Sequence, residues 1–264
     1  MFTIKNYVVV KDLEEAFILN QKKSNKILGG MMWLRMGSRN IQTAIDLSGL
    51  GLDKIEQTED AFEIGCMVTL RDLECEEALN NYFDGAIKKS VKHIVGIQFR
   101  NSATIGGSIY GRYGFSDILT CLLALDTYVE LYKGGVVPLA QYACMTPDND
   151  ILVKIIIKKD RRQVSYLTHR RTATDFPVIA CAVTQMDGKW NVILGARPQK
   201  AKVLLDKENI LSQKPSEQEI TNFIAYMNEK MDFDSNMRAS GEYRRHLAGV
   251  LIRRGINEIV EGME

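Results

Sequence analysis

Two glycine pairs offer the clearest chemistry in the sequence. Gly29-Gly30 sits in "KILGGMMWL", and Gly106-Gly107 sits in "RNSATIGGSIYG" between Thr104 and Ser108. Glycine lets successive backbone N–H groups converge on an anion without interference from a Cβ. Two such loops, far apart in sequence, can close on one diphosphate from both sides. Neither fits G-x-G-x-x-G or G-x-x-x-x-G-K-[ST], so neither a Rossmann nor a P-loop site is expected. Spacing alone leaves a second reading open, in which both pairs are tight turns.

Other site chemistries find little support. The five cysteines, Cys66, Cys75, Cys121, Cys144 and Cys181, are odd in number, and none forms a C-x-x-C pair. That spacing argues against a disulfide framework, a zinc site and an iron–sulfur cluster, and free thiols suit a reducing cytoplasm. With only three histidines, His93, His169 and His246, a histidine-rich metal site is not expected. No G-x-S-x-G elbow is present. Lys+Arg total 34 against 33 Asp+Glu, a balance unlike the basic excess of a nucleic-acid binder. The N-terminus reaches charge too early for a signal peptide, and no apolar run is long enough for a membrane span.

The elements that would position the glycine pairs can be read from periodicity. "DLEEAFILNQK" predicts a helix capped by Asp12. "KILGG" predicts a short strand, and "AIDLSGL" a strand and turn. "AFEIGCMV" predicts a strand, with a helix opening at Thr69. "YFDGAIKKSVKHIV" reads as one amphipathic helix. "DILTCLLALDTYVELYKGGVVPLAQY" reads as a helix, a strand, a turn at Gly134-Gly135 and a strand. "DILVKIIIKK" is a strong β run. "KKDRRQ", residues 158–163, is the candidate boundary. Beyond it, "VSYLTHRR", "FPVIACAVTQM" and "KWNVILGA", turning at Asp187-Gly188, predict an antiparallel meander. Ser216 and Glu219 have capping-box spacing at the head of a helix, and "GEYRRHLAGVLIRRGINEIV" predicts a long closing helix. The fold class is α+β in two parts, residues 1–157 and 163–264.

These segments resemble, in order and over nearly the whole chain, the FAD-binding subunit of the molybdenum hydroxylases, the family of xanthine dehydrogenase and carbon monoxide dehydrogenase. "LGGMMWL" is similar to the family's A-G-G-T-D-L loop. "RNSATIGGSIYGRYGFSDILTCLLALD" is similar to R-N-x-G-T-I-G-G-N…D…P-x-L-x-A-L-D-A. "NDILVKIII", "RRTATDFPVIACAV" and "SGEYRRHLAGVLIRR" resemble three further segments of the family. The resemblance implies a two-lobed PCMH-type FAD-binding domain, then a small antiparallel-sheet-plus-helices domain. It implies an electron-transfer subunit that works with a [2Fe–2S] subunit and a molybdenum-cofactor subunit and passes electrons to NAD+ or another acceptor. A scaffold subunit without FAD and a stand-alone flavin reductase are the alternatives.

On this resemblance the cofactor-binding set is Lys26, Ile27, Leu28, Gly29, Gly30, Met31, Met32, Trp33, Ile94, Thr104, Ile105, Gly106, Gly107, Ser108, Asp117 and Leu152. Residues 104–108 would form a strand-end loop whose N–H groups and hydroxyls meet the diphosphate. Asp117 would bond a sugar or ribityl hydroxyl, or else serve as a plain helix N-cap. Met31 and Met32 replace a hydroxyl and a carboxylate of the family pattern. The position of a flavin-side lysine falls at Leu167, with His169 or Arg170 as substitutes. Arg171 and Asp175 would be a structural pair. The resemblance implies no catalytic acid or base.

Overall fold

The computed structural model describes residues 2–263. Its strands, in chain order, are β1 Thr3–Val9, β2 Lys26–Leu28, β3 Asn40–Asp46, β4 Ile55–Gln57, β5 Ala61–Gly65, β6 Thr127–Leu131, β7 Gly135–Pro138, β8 Leu152–Lys158, β9 Gln163–His169, β10 Ile179–Met186, β11 Lys189–Gly195 and β12 Lys202–Leu205. Its helices are α1 Leu13–Asn20, α2 Leu70–Cys75, α3 Glu77–Tyr82, α4 Ala86–Val91, α5 Ile97–Arg100, α6 Ile105–Tyr110, α7 Asp117–Leu122, α8 Leu139–Cys144, α9 Glu217–Lys230 and α10 Gly241–Glu261. The chain divides into two compact units, and neither is continuous in sequence. The first comprises 1–72, 96–111 and 127–159; the second comprises 73–95, 112–126 and 160–264.

The first unit holds two sheets. A parallel sheet has the order β1-β3-β2, and α1 packs on β2 and β3. Leu28, Ile41 and Ala44 form its small core, joined by Met31 and Leu34. An antiparallel sheet has the order β4-β5-β8-β6-β7. Its middle strand shows the period of two: Val153, Ile155 and Ile157 are buried, while Lys154, Ile156 and Lys158 lie on the other face. α6 packs against this strand.

The second unit is built on the antiparallel sheet β12-β11-β10-β9. β10 is buried along almost its whole length because both faces are covered. Ile179, Cys181 and Val183 join Trp190, Val192, Phe223, Ile252 and Ile256 in a core beneath α9 and α10. α4 and α7 cover the other face. The capping box at Ser216 and Glu219 forms as the spacing predicts. Asp187 (φ 50°) and Gly188 (φ 76°) are both left-handed, which suits a two-residue hairpin.

Two elements differ from the sequence reading. The helix expected over "YFDGAIKKSVKHIV", residues 82–95, is shorter: α3 ends at Tyr82, and α4 covers only Ala86–Val91. Asp84 (φ 50°) and Gly85 (φ 71°) break it in the left-handed region, with the Gly85 N–H bonded to the Asn80 carbonyl. The segment at Thr104 is the start of a helix instead of a strand-end loop. No helix among the described residues is long and apolar enough to cross a membrane.

Candidate functional site

The two glycine pairs meet in the first unit. A Cβ built on Gly29 would lie 3.0 Å from Thr104 Oγ1 and 3.6 Å from the Gly107 backbone. One on Gly107 would lie 3.1 Å from the Gly29 carbonyl oxygen. The two inner glycines therefore let the loops touch. The outer two serve protein packing. Gly30 has φ +69°, and a Cβ there would fall 1.8 Å from the Ser102 carbonyl oxygen; one at Gly106 would fall 2.5 Å from that of Cys66.

Beside this contact lies a cleft, partly open to solvent. Of the expected set, Lys26, Ile27, Leu28, Gly29, Thr104, Gly106, Gly107 and Leu152 line it. Lys26 is the cation on the wall and Asp150 the carboxylate, and Asp150 is already occupied by the backbone N–H groups of Lys133, Gly134 and Ile151.

Backbone donors are distributed unequally between the two loops. The N–H groups of Gly29, Gly30, Met31 and Met32 have no acceptor among the described residues. Gly30 (φ 69°) and Met31 (φ 58°) are consecutive left-handed residues, a tight turn at the end of β2. The second loop has no such donors to offer. Ile105 N–H donates to the Val68 carbonyl and Gly106 N–H to that of Cys66, both at 2.9 Å. Gly107 N–H donates to Thr104 Oγ1 (3.2 Å), Ser108 N–H to the Thr104 carbonyl (3.1 Å), and Ser108 Oγ to the same carbonyl (2.9 Å). Thr104 is the N-cap of α6, and the helix start docks on the 66–68 turn. Of the expected donors in 104–108, the Thr104 hydroxyl remains.

The remaining expected residues have other surroundings. Met31 packs on the Leu28 core, Met32 is buried with its sulfur accepting from Arg35, and Trp33 is exposed. Ile105 is fully buried. Ile94 and Asp117 belong to the second unit. Asp117 is the first residue of α7, whose N-cap is Ser116, so the plain N-cap reading does not hold. It is 4% exposed and accepts from Tyr166 Oη (2.8 Å) and from the Arg170 guanidinium. Burial pushes its carboxyl up, and Arg170 and Tyr166 oppose that. Leu167 is half-buried and packs against the core under α9 and α10. Strand alternation puts its neighbour Tyr166 on the Asp117 side, so Leu167 faces that core. The pair expected between Arg171 and Asp175 is not made: Asp175 pairs with Arg238, and Arg171 donates to the Arg238 carbonyl.

The sequence reading missed other residues of the cleft wall, among them Asn20, Cys66, Met67, Tyr110, Asn149 and Ile151. Asn149 and Ile151 stand beside Leu152, and Tyr110 is three residues beyond Gly107. A helical reading of 105–110 would have brought Tyr110 in. Burial pushes the Cys66 thiol up to about 12, so it stays protonated and unreactive in the cleft.

Two family models match the chain in series. "FAD binding domain in molybdopterin dehydrogenase" covers residues 2–159, and "CO dehydrogenase flavoprotein C-terminal domain" covers residues 165–259. The chain belongs to the FAD-binding subunit family of the molybdenum hydroxylases. Its cofactor is FAD. Similar proteins include the uncharacterized protein YgfM of Escherichia coli (strain K12), 30% identical over 262 residues and 94% of each chain. The nicotine 6-hydroxylase medium subunit of Paenarthrobacter nicotinovorans is 23% identical over 274 residues and 96% of each. Two solved structures share the fold. Carbon monoxide dehydrogenase from Hydrogenophaga pseudoflava matches with TM-score 0.83 at 21% identity, over 96% of each chain. Quinoline 2-oxidoreductase from Pseudomonas putida 86 matches with TM-score 0.84 at 17%, over 98% of each. The cleft fits this family's cofactor: Gly29, Lys26 and Thr104 on its wall carry donors suited to a diphosphate, and the wall is otherwise largely apolar. The family's FAD-binding match is continuous to 159, whereas the compact units interleave within it.

Proposed function

We propose that this chain carries FAD in the cleft of its first unit and passes electrons from a [2Fe–2S] subunit to NAD+ or another acceptor, substrate being oxidised on a molybdenum-cofactor subunit. The observation that carries this reading is the run of unpaired N–H groups from Gly29 to Met32, beginning on the wall of a cleft that also holds Lys26 and Thr104. These donors need no side chain, so replacement of the family's hydroxyl and carboxylate by Met31 and Met32 leaves them in place.

In this reading these N–H groups and the Lys26 ammonium hold the diphosphate, with the Thr104 hydroxyl donating from the opposite loop. Ile27, Leu28 and Leu152 keep water from the apolar parts of the cofactor. Gly106 and Gly107 bring α6 close enough to form the wall, and Ile105 and Ser108 fix that helix. Trp33 ends the loop. Ile94 and Asp117 enter the cofactor set by the family resemblance. When bound, the flavin supplies one-electron acceptance and two-electron hydride release. No residue of this chain is assigned an acid–base role.

The nicotine 6-hydroxylase relative is itself named a medium subunit. None of the five cysteines is paired, which suits a reducing cytoplasm. Two measurements test the proposal. The purified chain should show flavin absorbance, and affinity purification from native extract should bring down an iron–sulfur and a molybdenum subunit. A colourless chain that refuses added FAD overturns the cofactor role. A solitary chain that oxidises its own substrate overturns the subunit role.

A further inference from the structure

We propose that Tyr110 is the platform on which the adenine ring of the cofactor stacks. The proposal rests on the reading that the cleft holds FAD. Tyr110 ends α6, three residues after Gly107, about 4.5 Å further along the helix axis at 1.5 Å per residue. It lines the cleft and is 42% exposed. The hydroxyl donates to the Asp148 carbonyl at 3.1 Å, beside Asn149 and Asp150 of the other wall. The side chain is thus held at both ends, by the helix and by the 148–150 turn. A ring fixed before the ligand arrives loses little conformational freedom on binding.

The length of the cofactor's own linkers selects the ring. Adenine is joined to the diphosphate through one ribose, whereas the isoalloxazine is joined through the longer open ribityl chain. A platform one helical turn from the glycine that faces the diphosphate loop is in reach of the nearer ring. Stacking of a base on an aromatic face changes affinity by roughly tenfold or more.

The test uses the full chain stripped of flavin, titrated calorimetrically with ADP, FMN and FAD. Wild type is compared with Tyr110→Leu and Tyr110→Phe, each confirmed as folded by circular dichroism. Tyr110→Leu should weaken both ADP and FAD by about tenfold and leave FMN unchanged. Tyr110→Phe keeps the ring and should stay within about threefold of wild type. Equal ADP affinity in wild type and Tyr110→Leu overturns the proposal, as does a loss confined to FMN. A phenylalanine variant as weak as leucine shows that the hydroxyl tether matters and the ring does not, which also overturns it. A wild-type chain that binds neither FAD nor ADP overturns this proposal and the cofactor reading together.

Discussion

Replacing Gly107 separates what this glycine does for the fold from what it does for the ligand. In Gly107→Ala the new Cβ stands 3.1 Å from the Gly29 carbonyl oxygen and 3.3 Å from Thr104 Oγ1. Both contacts require a shift of a few tenths of an ångström. Against that, Gly107 is inside α6, where alanine is favoured over glycine by about 0.5–1 kcal/mol. The two effects roughly cancel, so the fold should keep nearly its wild-type stability. The ligand has no such compensation. The Gly29 carbonyl shares its peptide plane with the Gly30 N–H, so moving one turns the other away from the ligand. A hydrogen bond to a charged group is worth about 1.5–3 kcal/mol, and losing one weakens binding about 10- to 150-fold. Gly107→Val, with two further methyl groups, should exceed that. Flavin fluorescence titration of the stripped chain reads the affinity, and a thermal melt reads the fold. A folded valine variant with wild-type FAD affinity would refute the reasoning, because the Gly29–Gly107 contact would then not shape the site.

Three other perturbations follow from the geometry. Leu167→Lys removes half-buried apolar packing against the core under α9 and α10 and should cost about 1–2 kcal/mol, read as a lower melting temperature; a stable variant with a raised flavin potential would return position 167 to the cofactor. Arg170→Met strips the buried Asp117 of its cation and should cost about 3–5 kcal/mol, most of it recovered when Asp117→Asn is added; strictly additive single and double variants would show that the pair is not coupled. The hydrogen bonds at the head of α9 hold the Glu219 carboxyl down at about 2, from an ordinary 4.5. The stability it contributes is present above pH 4.5 and is lost as pH falls from there toward 2. Urea midpoints across that range should fall more steeply for wild type than for Glu219→Gln, and parallel curves would deny the cap its role.

Local chemistry made much of the fold legible. The Ser216–Glu219 box, the Asp187-Gly188 hairpin and the alternation of residues 152–158 each carry their structure within a few neighbouring residues. What stayed hidden depends on distant partners. Two adjacent glycines argue against a helix at 105–110, yet α6 forms, and Gly106 is there because the helix start approaches the Cys66 carbonyl, which nothing near it in sequence says. Missing that helix meant missing Tyr110. At position 167, family spacing pointed to the cofactor, while strand alternation put Leu167 in the core and Tyr166 against Asp117. The glycine pairs were readable as loops in contact with something. That the outer glycines face protein and the inner two face each other required the tertiary structure. The Asp84-Gly85 break was written in the sequence as a turn pair but was outweighed by the amphipathic pattern around it.

The interleaving of the two units sets an order of events during synthesis. The first unit has all its strands once residue 159 has emerged from the ribosome. The second cannot close then: α4 and α7, made early, cover a sheet whose strands begin only at residue 163, and its other cover ends with α10 at residue 261. At usual elongation rates the buried faces of α4 and α7 wait on the order of ten seconds for their partners. During that interval Ile87, Val91, Ile118 and Leu122 are exposed on a nascent chain. This is a window in which a chaperone can bind, and in which a slow stretch of translation after residue 126 would lengthen the exposure.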